Sequence, residues 1–197
     1  AQPAQHVVLQ AWLDESWITR TYTVVRQSED GNTVSIAMRR IEGGEFGPRL
    51  IDADDATFAA IPLRIAVPAG EIAPADGRPA VCFVAGVGVT LALSLLHGRC
   101  QGQSLHVDYS ASRRGDMVYA DRIEGSASSS REVSCHLRTD DVDGFIDDED
   151  ILETVKQFPG ARYFVCGPPA YTRRLVNGLH KAEVPDADVR VEAFFLT

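Results

Sequence analysis

Between Val7 and Val67 the apolar residues fall in short runs, VVLQAW, ITRTYTVV, TVSIAMR and IPLRIAV, separated by polar, turn-forming stretches such as SEDGN and EGGEFGP. Runs of this length, bounded by Gly, Pro, Asn and Asp, read as strands joined by turns. This half is predicted to be antiparallel β, in the form of a barrel. After PAGEIAPADGRP the pattern changes. AVCFVA, SLHVDYS, EVSCHL and ARYFVC are nearly continuous apolar runs, as strands covered on both faces are, and VRVEAFF supplies a fifth. LALSLLHG, DMVYADRI, DDEDILETVKQF and AYTRRLVNGLHKA alternate with them at helical spacing. Such alternation predicts a doubly wound, five-stranded parallel sheet with ligands beyond the carboxyl ends of its strands. The boundary falls in the Pro- and Gly-rich stretch, giving units 1–76 and 77–197. GSASSSRE, Gly125 to Glu132, reads as a flexible loop. The acidic run TDDVDGFIDDEDILE reads as a solvated loop whose last acids favour a helix start, with a docking surface for a basic partner as the alternative.

Composition narrows the function. A chain of 197 residues, 45% hydrophobic, can bury a substantial core. Its net charge of -9 argues against nucleic acid and anionic membranes as general partners. Cys82, Cys100, Cys135 and Cys166 form no CxxC pair, which argues against a zinc site or an iron-sulfur cluster and fits a reducing, cytoplasmic setting. No apolar run reaches the roughly 20 residues of a membrane helix, and AQPAQHVV lacks the regions of a signal peptide. Without an initiator Met, Ala1 is expected to be a processed or excised start to a longer natural protein.

Three strand ends followed by turns are candidates for chemistry. In VAGVGVT, Val84 to Thr90, Gly86 and Gly88 permit close backbone approach, and the free N–H groups of the following helix suit a diphosphate. A plain tight turn explains the same residues. In RTYT, Arg20 to Thr23, strand alternation puts Arg20 and Tyr22 on one face, so that a cation and a flat ring project together. A surface strand is the alternative. In VCGPP, Gly167 allows a sharp turn, Pro168 and Pro169 stiffen the next helix start, and Cys166 ends a central strand facing the ligand crevice. A small buried hydrophobe is the other reading of that cysteine.

RTYT in a β half, GVGVT after the first strand of an α/β half, CGPP after its fourth and EAF at its end resemble, in that order, the ferredoxin-NADP reductase family of flavin-dependent oxidoreductases. The resemblance spans essentially the whole chain and is greatest to flavohaemoglobin reductase modules and oxygenase reductase components. It implies a flavin-binding β-barrel followed by an NAD(P)-binding α/β domain. It also implies that Arg20 holds the flavin phosphate, Tyr22 lies against the isoalloxazine, Thr21 completes the motif, and Thr23 places a hydroxyl near the reactive nitrogen. The diphosphate loop matches GGEFGPRL, with Gly43 and Gly44, and with Gly47 where the family has Ser or Thr.

Gly86, Gly88 and Thr90 match the pyridine-nucleotide turn, with Leu91 in place of the usual proline. Cys166 is implied to lie beside the nicotinamide carbon that gives up hydride, with Gly167 and Pro168 shaping the pocket. Phe194 is expected to cover the flavin, with Glu192 near the same site. Ser110 and Arg113, with Arg114, follow a strand where a 2′-phosphate could be met. FAD is favoured over FMN, and NADH over NADPH. The implied reaction passes a hydride from NADH or NADPH to flavin and then single electrons to a haem, iron-sulfur or oxygenase component, as partner or fused domain. His6, His97, His106, His136 and His180 are scattered and expected in ordinary roles. Members of the family have additional strands before AQHVVLQ, so the barrel is expected to lack its first strands. Gly47 and that short start favour the alternative, a reductase-like module that has lost flavin and binds nucleotide or serves assembly.

Overall fold

The computed structural model describes residues 3–70, 76–98 and 102–192, and the chain divides into two compact units, Ala1–Ala73 and Pro74–Thr197. In the first unit, β1 (His6–Leu13) and β2 (Ser16–Gln27) form a hairpin. Its two turn residues, Asp14 and Glu15, both have positive φ, the conformation that matches a two-residue turn to the strand twist. β3 (Val34–Ile36), α1 (Gly47–Ile51), α2 (Asp55–Ala60) and β4 (Leu63–Ile65) follow. The antiparallel sheet has the order β3-β2-β1-β4. This four-stranded sheet is the incomplete barrel expected from the sequence. Ala11, Leu13, Phe46 and Leu50 are its buried centre, with Ile18, Tyr22 and Met38 packed around them.

Two strands are shorter than their apolar runs. TVSIAMR keeps only Val34–Ile36, beside a register shift between Val24 and Arg26, and IPLRIAV keeps only Leu63–Ile65. The second half of GGEFGPRL is not loop but the helix α1, because Leu50 joins the core and Pro48 is pre-set for a first helical turn. α2 was not expected from the pattern. Asp54 caps it, accepting from the Thr57 N–H at 2.7 Å.

The second unit contains β5 (Ala80–Ala85), α3 (Val89–Gly98), β6 (Leu105–Ala111), α4 (Ala120–Ser129) and β7 (Val133–Thr139). After these come α5 (Asp148–Gln157), β8 (Arg162–Cys166), α6 (Pro169–Lys181) and β9 (Val189–Glu192). The strands are parallel in the order β7-β6-β5-β8-β9, so the winding reverses at β5, and the switch point, the crevice at which a doubly wound fold takes its ligands, lies at the ends of β5 and β8. Val81, Phe83, Tyr163 and Val165 of the sheet pack against Ile151 of α5 and Leu175 and Leu179 of α6. At the opposite rim Arg78 donates to the carbonyls of Gly160 and Ala161 at 2.8 and 3.2 Å and pairs with Asp188 at 2.8 Å. Arg162 pairs with Asp76 at 2.7 Å.

Helix α5 begins where the acids predicted. Asp147 accepts from the Glu149 and Asp150 N–H groups, and Asp150 accepts from the Asp147 N–H at 3.0 Å, a reciprocal cap. The helix expected over DMVYADRI starts later, at Ala120. Tyr119 stands at φ 63°, a left-handed conformation that no α-helix continues through. The stretch expected as a loop is helical from Gly125 to Ser129, since Ile123 is buried on the same helix and Ser126 bonds back to the Arg122 carbonyl at 2.8 Å. Leu175 is fully buried, so Leu175→Ala is expected to lower stability by about 2 to 5 kcal/mol, read from the midpoint of a urea melt.

Candidate functional site

At the crevice of the second unit the two predicted turns interlock. Gly86 has φ +55°, and a Cβ built on it meets nothing within 4 Å, so its outer side is open at the start of α3. Gly88 is the reverse case. A Cβ there would collide with the carbonyl of Cys166, and lie 3.2 Å from its Sγ. Gly167 answers from the other strand, where a Cβ would stand 2.8 Å from the Tyr171 ring and 3.0 Å from Ala85 Cβ. Tyr171 of α6 completes the joint by donating its hydroxyl to the Val84 carbonyl at 3.2 Å, and burial pushes its phenol well above the usual range. The Gly88 requirement is therefore internal packing, while the open ground over Gly86 is the part that fits a diphosphate. Thr90 is buried, its hydroxyl donating to the Val87 carbonyl at 3.1 Å, so it braces the turn from beneath. Leu91, in the place of the usual proline, is buried in the core.

Cys166 ends β8 fully buried. Strand register sets it beside Glu192 of β9 on one side and Val84 on the other. Burial, and then the Glu192 carboxylate and Cys82, push its thiol far above the ordinary range, so it is neutral and not a nucleophile. Pro168 is exposed and precedes α6. Phe194 lies outside the described residues.

Ser110, near the end of β6, is buried, and Arg113 beyond it is exposed. On the same face, Asp108 and His136 are register partners. Asp108 is 2% exposed, and its Oδ2 lies 3.2 Å from His136 Nδ1. The buried carboxylate raises the His136 pKa above its ordinary value, against desolvation. Arg138, also buried, pairs with Asp150 at 2.7 Å. Sequence reasoning missed Asp108, His136 and Tyr171; for the first two the available signal was a charged residue inside an otherwise apolar strand run.

In the first unit Arg20 and Tyr22 do share a face, and both meet Phe46. The Arg20 guanidinium is 6.0 Å from that ring's centroid and donates to the Thr19 carbonyl at 2.8 Å, while Tyr22 packs at 6.2 Å between centroids. Burial raises the Tyr22 phenol pKa, and Arg20 lowers it less. Thr21 is exposed on the opposite face and Thr23 is buried. Gly43 has φ +71° and open space around it, and the Gly44 N–H closes a turn on the Ile41 carbonyl at 3.0 Å. Gly47 opens α1 with the Arg39 carbonyl 3.1 Å from where a Cβ would sit, so a side chain there would need that carbonyl to give by a few tenths of an ångström.

Two outcomes follow. Iodoacetamide at pH 8 is expected to leave Cys166 unmodified in the folded protein and to label it after unfolding, as mapped by peptide mass spectrometry. His136 has a folded pKa above its unfolded value, so its stabilising charge is fully present below the unfolded pKa and lost as pH rises through the folded one. Relative to His136→Asn, the wild type is expected to be more stable at pH 5.5 than at pH 9, by under about 1 kcal/mol because the ring is half exposed. Urea melts at the two pH values measure this.

No protein-family profile matches the chain. Among curated proteins it is 24% identical to a flavohemoprotein of Pseudomonas aeruginosa over 98% of this chain and 51% of that one. It is 26% identical to a component of the 1,2-phenylacetyl-CoA epoxidase of Escherichia coli, over 98% of this chain and 58% of that one. The chain thus spans about half the length of the curated relatives it matches. The flavohem-like FAD/NAD binding domain of nitric oxide dioxygenase from Vibrio cholerae superposes with a TM-score of 0.74 at 18% identity, covering 98% of this chain and 85% of that one. With its antiparallel sheet and its reversed parallel sheet, the chain has the fold of that domain and of the ferredoxin-NADP+ reductase of Plasmodium falciparum, on which it superposes with a TM-score of 0.71 at 14% identity.

Proposed function

We propose that this chain is the reductase portion of a flavin-dependent NAD(P)H oxidoreductase. The observation that carries the reading is the interlocked pair of glycine turns at the β5–β8 crevice, which keeps the outer side of Gly86 open at a helix start. There Gly86, with Gly88 and Thr90 supporting the turn, receives the diphosphate of NADH or NADPH. Cys166, Gly167 and Pro168 shape the nicotinamide pocket, with Glu192 at its side, and Ser110 and Arg113 meet the adenosine end. Because its thiol is neutral and buried, Cys166 contributes shape and excludes water rather than moving a proton.

In the first unit Arg20 offers a guanidinium to the flavin phosphate, and Tyr22, already braced by Phe46, presents a flat ring. Thr23 continues the motif, Gly44 closes the turn on the Ile41 carbonyl, and Gly43 and Gly47 supply backbone donors for the flavin diphosphate. FAD is preferred over FMN, in keeping with the FAD/NAD binding domain that the fold resembles. When bound, flavin supplies the redox chemistry, taking up a hydride and releasing single electrons. Electrons pass on to a haem or oxygenase component, the kinds of protein to which the flavohemoprotein and epoxidase likenesses point. Among the described residues no helix is long and apolar enough to cross a membrane. Cys82, Cys135 and Cys166 are free thiols, as a reducing compartment keeps them, and on that ground we place the protein in the cytoplasm.

Mixing the purified protein with FAD is expected to quench flavin fluorescence, and anaerobic NADH to bleach the bound flavin's visible absorption. Tyr22→Ala should weaken FAD binding by up to about tenfold, the scale of one aromatic pair. Binding of adenine nucleotide without any binding of FAD would favour the second reading, a nucleotide-binding module without flavin, for which the missing hydroxyl at Gly47 speaks.

A further inference from the structure

The segment joining β6 to α4 carries two adjacent cations that differ in what they touch. Arg113 is extended, at φ -147° and ψ 157°, and its side chain is exposed. Arg114 opens the short 3-10 turn Arg114–Asp116 and folds back onto α4. Its Nη2 lies 2.7 Å from Glu124 Oε2, and its Nη1 donates to the buried Met117 thioether at 3.7 Å. The next cation on α4, Arg122, is engaged separately, 3.1 Å from His97 Nε2 and 5.8 Å from the Tyr119 ring centroid. Glu124 is thus the acid that occupies Arg114.

We propose that Glu124 sets the discrimination of this chain against a 2′-phosphorylated adenosine ribose, by holding Arg114 in an internal ion pair. The inference rests on the reading of the second unit as a pyridine-nucleotide binder. A phosphate dianion is recognised best by a guanidinium that offers a free fork of N–H donors, and a cation next to this strand end is where a doubly wound fold meets the 2′ position. Here one of the two forks is already committed. To use it, the phosphate must displace a carboxylate of the same sign, so only Arg113 is ready to respond. Both members of the Arg114–Glu124 pair are about half exposed, so the competition is modest, on the order of three- to fivefold.

The test uses the whole chain and needs neither flavin nor hydride transfer: calorimetric titration with adenosine 5′-monophosphate and with adenosine 2′,5′-bisphosphate, which differ only in the 2′-phosphate. Glu124→Gln is expected to tighten the bisphosphate about three- to fivefold and to leave the monophosphate unchanged. Asp121→Asn, which removes the same charge from an exposed site on the same helix, should do neither. Adding Arg114→Gln to Glu124→Gln should abolish the gain. The proposal is overturned if Glu124→Gln tightens both nucleotides equally or neither, if Asp121→Asn reproduces its effect, or if the gain survives loss of Arg114. Failure of both nucleotides to bind the folded wild type would instead remove the nucleotide-binding reading, and this proposal with it.

Discussion

The contact between Gly88 and the Cys166 carbonyl is the constraint on which the rest of the second unit turns. β5 and β8 are neighbours, and each leaves the sheet through a turn at the same rim. Two such turns can cross only if neither carries a side chain at the crossing. Gly88 and Gly167 meet that condition from opposite sides, each against the backbone or small side chain of the other's strand. Tyr171 then spans the joint from α6 to the Val84 carbonyl. Because side chains at 88 or 167 would push the turns apart, the two motifs form one rigid piece, and rigidity there is what a positioned ligand requires.

Much of this was legible because it is periodic. The five parallel strands announced themselves as apolar runs, and α5 by acids that reciprocally cap its first turn. The misreadings share a cause: local composition was overruled by packing. Gly125 to Ser129 has the composition of a loop, yet it continues a helix anchored by Ile123 and Ala120. The start of α4 moved because Tyr119 takes a conformation that no propensity scale favours. In the first unit Leu50 drew half of a glycine-rich stretch into a helix. Within the candidate site, the glycines and Cys166 could be picked out by residue type, but their partners could not. Nothing local ties Tyr171 to Val84, or Glu192 to Cys166; strand order and register bring them together.

The paired polar groups of the second unit are distributed with the same economy. At the rim away from the crevice, Arg78 and Arg162 tie residues far apart in sequence through carbonyls and the Asp76 and Asp188 carboxylates. Toward the ligand rim, Asp108 is buried beside a half-exposed histidine, and Arg138 is buried against an acid that also caps a helix. A buried charge is tolerated where a partner is fixed by register or by a cap, because losing that partner leaves the charge stranded.

The sealed position of Cys166 also bears on how long such a protein lasts. Peroxide oxidises thiolates that it can reach, carrying them first to sulfenic acid and then to forms that are not repaired. A neutral sulfur closed off from solvent at the end of β8 escapes that chemistry. Cys135, partly exposed on the outer strand β7, meets an oxidant sooner than Cys166 does. Among the described cysteines, early oxidative wear therefore falls on the sheet's edge and spares the joint that holds the two turns together.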